Sequence, residues 1–257
     1  SDEKNITAIT CGLSEFSIVG IPAEEYPEIP SITGETTIDL PHSMLKSMIR
    51  QTIFAVADTD AKPIHTGTLF ELGGGTLRLV SVDGYRLAIR EEPVQANEEA
   101  SFVVPGKTLN EVTKLLSDSE EETLSLVVGR RHILFKIGNY TVISRLLEGE
   151  FLDYKAAIPA ASSTEVLVNT RSFIESVERV SLLITDRLKS PVRCLFEDNE
   201  IKLSCSTSMG RANDQFEAQI TGSNVEIGFN NRYLLDALRT AEGDEVKVQL
   251  NGPLSPM

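Results

Sequence analysis

The sequence predicts an α+β fold made of repeated domains, each with two helices and antiparallel sheets. Three observations predict it. Helix formers and strand formers are both plentiful in 257 residues that are 41% hydrophobic, enough chain for two medium cores. Short strand-like runs alternate with segments of helical apolar spacing. The order of these elements then recurs along the chain with a period of roughly 125 residues.

The repeat begins with a strand and a helix. IDLPHSMLKSMIRQTIFAV (38–56) has its counterpart in VLVNTRSFIESVERVSLLI (166–184). Leu45, Met48, Ile49 and Ile53 fall at helical spacing in the first. Phe173, Ile174, Val177 and Val180, with Leu183 or Ile184, do so in the second. Ser43 and Thr170 are the expected N-caps, because their hydroxyls can accept from the free amides of a first turn. Next come strand, turn, strand, turn, strand: TLFELGGGTLRLVSVDGYRLAIRE (68–91) matches CLFEDNEIKLSCSTSMGRANDQFE (194–217). Gly73-Gly74-Gly75 and Asp198-Asn199 are the expected hairpin turns. SFVVPGKTLNEVTKLL (101–116) and VEIGFNNRYLLDALRTA (225–241) each read as an apolar strand and a second amphipathic helix. Further strands are expected over 123–151, and their counterpart starts at EVKVQLNGPLSPM.

Residues 1–33 fit the end of an earlier unit, whose acidic, aromatic exit AEEYPEIP parallels LEGEFLDYKAAIP. The expected organisation is therefore a remnant over 1–33, a whole unit over 34–157 and a third unit, lacking its last strands, over 158–257. Repeat arithmetic predicts a three-unit protein of roughly 360 to 380 residues, with about 90 more residues before Ser1 and roughly 20 to 30 after Met257.

Net charge is −14, but the charge is unevenly placed. The four helical windows 42–56, 106–116, 170–180 and 231–241 carry eight basic residues against four acidic ones. The basic residues are Lys46, Arg50, Lys107 and Lys114 in the first repeat, and Arg171, Arg179, Arg232 and Arg239 in the second. Two helices on one side of each sheet would gather this charge on one surface, where it could meet phosphates. Ordinary solvated helix faces are the plain alternative. No aromatic platform or reading helix is evident, so any nucleic-acid contact should be to the backbone rather than to bases.

Several function classes find no support. Cys11, Cys194 and Cys205 are odd in number and far apart, so neither a disulfide framework nor a zinc site is suggested, and no cofactor is implied. No apolar run approaches the roughly 20 residues that cross a bilayer, so a cytoplasmic protein without membrane contact is expected. Gly106-Lys107-Thr108 resembles the end of a phosphate-binding loop, but Ser101 stands where that motif needs glycine. His42, His65 and His132 are scattered, and no hydrolase or metalloprotease motif accompanies them. No enzyme is expected.

Four stretches resemble the bacterial sliding clamp family, the beta subunit of DNA polymerase III. They are SVDGYRLAIRE (81–91), SRLLEGEFLDY (144–154), KPIHTGTLFE (62–71) and VEIGFNNRYLLDAL (225–238), ordered and spaced as in the family. The resemblance implies the DNA clamp fold, with two inner helices per domain and sheets outside. It also implies two chains closed head to tail as a homodimer around double-stranded DNA. The implied partners are the polymerase III catalytic subunit, the clamp loader, repair polymerases and other proteins with clamp-binding peptides. The implied peptide pocket lies between the second and third domains. From the first motif it takes Val82, Gly84, Tyr85, Arg86 and Leu87. The second gives Leu152, Ala156 and Ala157; later positions are Asn230, Tyr233, Leu254 and Pro256. Apolar walls suit leucine or phenylalanine anchors, Gly84 would allow close approach, and Arg86 would offer donors. Loop 58–63 corresponds to a DNA-contacting loop, in which Lys62 is the cation. Two departures alter the pocket: His65 stands where the family has leucine, and Leu152 where it has proline. A closed ring is not expected of a chain with so little first domain. The rival from another class is a scaffold of repeated α+β domains that binds proteins but no DNA. Its mark would be helix cations turned to different faces or held by acids.

Overall fold

The computed structural model describes residues 5–26, 32, 36–59, 61–96, 98–185 and 187–257. The expected boundary at 33/34 and the end of the exit AEEYPEIP lie outside the described residues. The chain divides into two compact units, Ser1–Thr33 and Gly34–Met257.

The first unit is a hairpin. β1 (Ile6–Cys11) pairs antiparallel with β2 (Ser14–Val19), with Ile9 opposite Phe16 and Thr7 opposite Ile18. Gly12 turns it at φ +62°, a conformation glycine adopts without Cβ strain.

The second unit contains one topology twice. In the first module β3 (Thr36–Pro41) leads into α1 (His42–Arg50). Three strands follow: β4 (Gly67–Gly73), β5 (Thr76–Val82) and β6 (Leu87–Pro93). Then come β7 (Ala100–Pro105) and α2 (Gly106–Leu115), and last β8 (Thr123–Val128), β9 (His132–Ile137) and β10 (Tyr140–Arg145). The second module repeats this with β11 (Thr164–Asn169), α3 (Thr170–Ser181), β12 (Val192–Glu197), β13 (Glu200–Thr207) and β14 (Gly210–Glu217). It continues with β15 (Gln219–Gly222), β16 (Val225–Phe229), α4 (Asn231–Arg239) and β17 (Glu245–Leu250).

Sheet order states the equivalence. β6-β5-β4-β7 in one module corresponds to β14-β13-β12-β16 in the other, and the first helix-bearing strand pairs with β8 in one and with β17 in the other. β15, which pairs with β11, has no counterpart strand among the described residues of the first module. Each module closes its own core between sheets and helices. Leu45, Met48, Ile49, Leu109 and Val112 join Phe70, Phe102 and Phe135 in the first. Phe173, Val177, Leu234 and Leu238 join Phe196, Ile201 and Ile227 in the second.

The hairpin turns form where expected. Gly74 and Gly75, then Asp198 and Asn199, all take positive φ, the backbone a two-residue turn needs to match strand twist. The expected caps do not form. α1 starts one residue before Ser43, behind Pro41, and its first amides are satisfied by the carbonyls of Glu122 and Ser119. α3 is capped by Asn169, whose side chain accepts from the Ser172 amide, while Thr170 lies inside the helix and donates to the Gly243 carbonyl. A long-range backbone partner satisfies the α1 start, and local sequence rules do not see it. Gly106 also acquires a packing role. A Cβ there would stand 3.1 Å from the Thr66 carbonyl oxygen and 3.4 Å from a Val56 methyl. The glycine lets the start of α2 approach that segment, with no phosphate needed to explain it.

Candidate functional site

The four helices form a row. α1 packs beside α2, and α3 beside α4. The row is joined across the modules where Ser47 Oγ donates to Glu242 at 2.7 Å and Gln51 Nε2 donates to the Thr240 carbonyl at 3.3 Å. Buried positions 45, 48 and 49 of α1, and 173, 177 and 180 of α3, leave Arg50, Arg171 and Arg179 exposed, while Lys46 lies at the edge of the buried face of α1.

Most of those cations have acidic partners. Lys46 bonds Asp118 at 2.8 Å, and with Arg50 nearby its ammonium holds that carboxyl below the ordinary range. Lys114 pairs with Glu111, Arg171 with Glu175 and Arg239 with Glu178. Arg179 bonds Asp214 at 2.7 Å. Burial opposes ionisation of Asp214, but the bonds from Ser176 and Arg179 outweigh it and keep its pKa low. Arg50, Lys62 and Lys107 show no ion pair among the described residues, and all three are exposed. Arg232 is exposed but engaged. Acids at helix spacings of three and four, together with Asp118, Asp214 and Glu178 of the neighbouring helix, thus hold five of the eight helix cations. These pairs are largely exposed and contribute little each, about 0–1 kcal/mol.

The second site lies where the β5–β6 turn meets α4. Asp83 Oδ1 accepts from the amides of Tyr85 and Arg86, the side-chain turn that Asp makes two and three residues on. Gly84 sits at φ +93°, with no atom within 4 Å of where its Cβ would stand. Within the chain, conformation rather than crowding selects this glycine, and the space beside it is open. Arg86 leaves the turn and crosses between modules. Its Nε donates to Asp83 at 3.0 Å, its Nη1 donates to Asp236 of α4 at 2.5 Å, and its guanidinium lies 4.3 Å from the Tyr233 ring centroid. Phe54 stands on the same cation at 5.5 Å. Arg86 therefore pins the modules together, with its Nε and Nη1 committed to Asp83 and Asp236.

Around the pin, Tyr85 is 84% exposed and its ring lies 6.0 Å from that of Tyr233. Leu87 packs with Phe151 and Tyr154. Leu152, Ala156 and Ala157 are exposed on the adjoining segment. Val82 is buried in the sheet and does not reach the surface. Asn230 is occupied as the N-cap of α4, accepting from the Arg232 amide. Leu254 is 99% exposed and packs on nothing, and Pro256 is exposed as well. The structure thus gathers Tyr85, Arg86, Leu87 and Tyr233, and leaves the two terminal positions outside the group.

His65 is buried edge-on against Phe151, centroids 5.4 Å apart. Burial, helped by the Lys62 charge, lowers its pKa below the ordinary histidine value. Asp236, Phe54 and Asp118 were not legible as site residues: each acquires its role from a partner distant in sequence. Among the described residues no cluster of His, Cys, Asp or Glu could hold a metal ion, and no helix is long and apolar enough to cross a membrane.

Known proteins match this chain along its length. The family described as DNA polymerase III beta subunit, central domain, matches residues 39–153, and the one described as its C-terminal domain matches 155–257. The beta sliding clamp of Bacillus subtilis is 36% identical over 256 residues, covering 98% of this chain and 68% of that protein. The Staphylococcus aureus beta sliding clamp is 31% identical over 259 residues, covering 100% and 68%. A solved DNA polymerase III beta subunit from Eubacterium rectale superposes with a TM-score of 0.93 at 33% identity, over 100% of this chain and 70% of that one. The Pseudomonas aeruginosa sliding clamp bound to griselimycin gives 0.89 at 28% identity, over 99% and 69%.

Proposed function

The chain belongs to the DNA polymerase III beta subunit family, the bacterial sliding clamps, and from that premise we propose how its parts divide the work. The observation that carries the reading is the duplicated module with its helices in one row, α2-α1-α4-α3. A row of helices bearing exposed Arg50 and Lys107, with Lys62 on the 58–63 loop, beside weak, exchangeable ion pairs offers phosphates contacts without fixing a register. That suits double-stranded DNA held without sequence preference, and it suits sliding. We place the modules at 34–157 and 158–257, after a first-domain remnant over 1–33.

The chemistry is tethering, with no catalytic step. A ring cannot leave DNA sideways, so a polymerase bound to it keeps a high effective concentration at the primer end. Two head-to-tail copies of the intact protein make such a ring, in the cytoplasm and opened by a clamp loader. The Tyr85–Leu87–Tyr233 group takes the clamp-binding peptides of the polymerase III catalytic subunit, the loader and repair polymerases. Support for a ligand site in this fold comes from the Pseudomonas clamp that binds griselimycin. The pairing of helix cations with acids is the one observation on the side of a DNA-free scaffold; family membership outweighs it.

Product length on primed circular DNA tests the proposal. With polymerase and loader present, the intact protein should lengthen products, and Arg50→Glu with Lys107→Glu should shorten them again at rising salt. Products of unchanged length with and without the protein would refute it.

A further inference from the structure

We infer that the peptide groove continues past Leu87 along β6 into a basic pocket that takes an acidic residue flanking the apolar anchors of a bound peptide. The inference rests on the peptide-site reading above and extends it.

A cavity of about 490 Å³ opens between β6 and the segment 154–158. Ile89, Arg90, Tyr154, Lys155 and Ile158 line it, with Arg78 and Glu91 at its side, and Arg90 is held by Glu92. It is continuous with the candidate site. Tyr154 and Leu87 belong to one apolar cluster, and Ile89 is two residues beyond Leu87 on the same face of β6. At about 3.3 Å per residue, that is two residues of an extended peptide. Ile89 and Ile158 are both exposed, an apolar floor left uncovered.

The charge at this floor runs against the rest of an acidic chain. Arg78 is committed: it holds Glu91 at 2.7 Å and Glu71 at 3.3 Å, and donates to the Tyr154 hydroxyl at 3.2 Å. Those bonds turn both carboxylates toward Arg78 and offset one of their two charges. Lys155 has no carboxylate partner among the described residues; its ammonium lies 5.8 Å from the Tyr154 ring centroid. One uncommitted ammonium beside two isoleucines fits a single carboxylate on an aliphatic stem. It is a poor match for a phosphate, which needs several donors. A peptide glutamate two residues outside the anchors satisfies both features.

The test is a fluorescence titration of the purified protein with anchor peptides. They carry Glu two residues before or two residues after the anchors, each against its Gln equivalent. At about 50 mM salt one of the Glu peptides should bind about two- to five-fold tighter than its Gln partner, the worth of an exposed ion pair. Lys155→Ala should abolish that preference and leave the Gln peptides unaffected; Lys155→Glu should reverse it. Equal binding of Glu and Gln peptides, or a preference that survives Lys155→Ala, overturns the inference while the anchor site stands. Failure of every peptide to bind overturns the anchor site and this extension together.

Discussion

The two modules share a topology but differ in how their equivalent sheets are covered. Leu69 of β4 stands opposite Val80 and Val103, and these three lie under Ile64 and Tyr154 in a small second core. The same ladder position in the second module is Leu195, opposite Lys202 and Glu226. One sheet is buried on both faces and the other on one. The strand patterns follow: β4 and β5 are buried along nearly their whole length, while β12 and β13 alternate. The residues that cover the first sheet, Phe151 and Tyr154, lie in the segment that carries Leu152, Ala156 and Ala157. The extra layer and the first-module half of the proposed peptide site are thus one piece of structure.

The largest effects should be the same in both modules. Phe70 and Phe196 are equivalent and fully buried, so Phe70→Ala and Phe196→Ala should each cost about 3–5 kcal/mol in denaturant titrations. Clearly unequal losses would break the equivalence. Next, Leu69→Ala should cost about 2–4 kcal/mol and the half-buried Leu195→Ala about 1 kcal/mol or less, since only the former empties a core. Equal costs would remove the distinction between covered and uncovered sheets.

A smaller effect probes the pin between modules. In a double-mutant cycle, Arg86→Ala and Asp236→Asn should show a coupling of about 0.5–2 kcal/mol. Asp236→Asn alone should weaken peptide binding through its bond to Arg86. Additive mutants would mean that Arg86 serves the ligand directly. The smallest effect concerns pH. The folded state resists protonating His65, so between its lowered pKa and the ordinary 6.5 the unfolded chain binds more protons. Stability should therefore fall as pH drops below about 6.5, and His65→Leu should flatten that slope. An unchanged slope in His65→Leu would show the imidazole to be unperturbed.

Much of this was legible in the sequence for a physical reason. Burial imposes periodicity, so Leu45, Met48 and Ile49, or the alternation in β13, announce their elements. The turns at Gly74-Gly75 and Asp198-Asn199 announce themselves through residues that tolerate positive φ. Caps failed where the partner was remote, as with the Glu122 carbonyl at the start of α1. Roles inside the site failed likewise. Arg86 reads as a free donor until Asp236, 150 positions away, is folded against it. The helix cations read as a bare surface until Asp118 and Asp214 arrive from neighbouring segments. Long-range charge pairing leaves no periodic trace.

Retention on DNA tests topological tethering most directly. Let the loader place the labelled intact protein on a nicked circular duplex, remove the loader, and cut the circle once. Loaded protein should remain through a salt wash on the closed circle and run off after the cut. Equal retention on circular and linear DNA would contradict tethering, because the protein would then hold DNA by affinity alone.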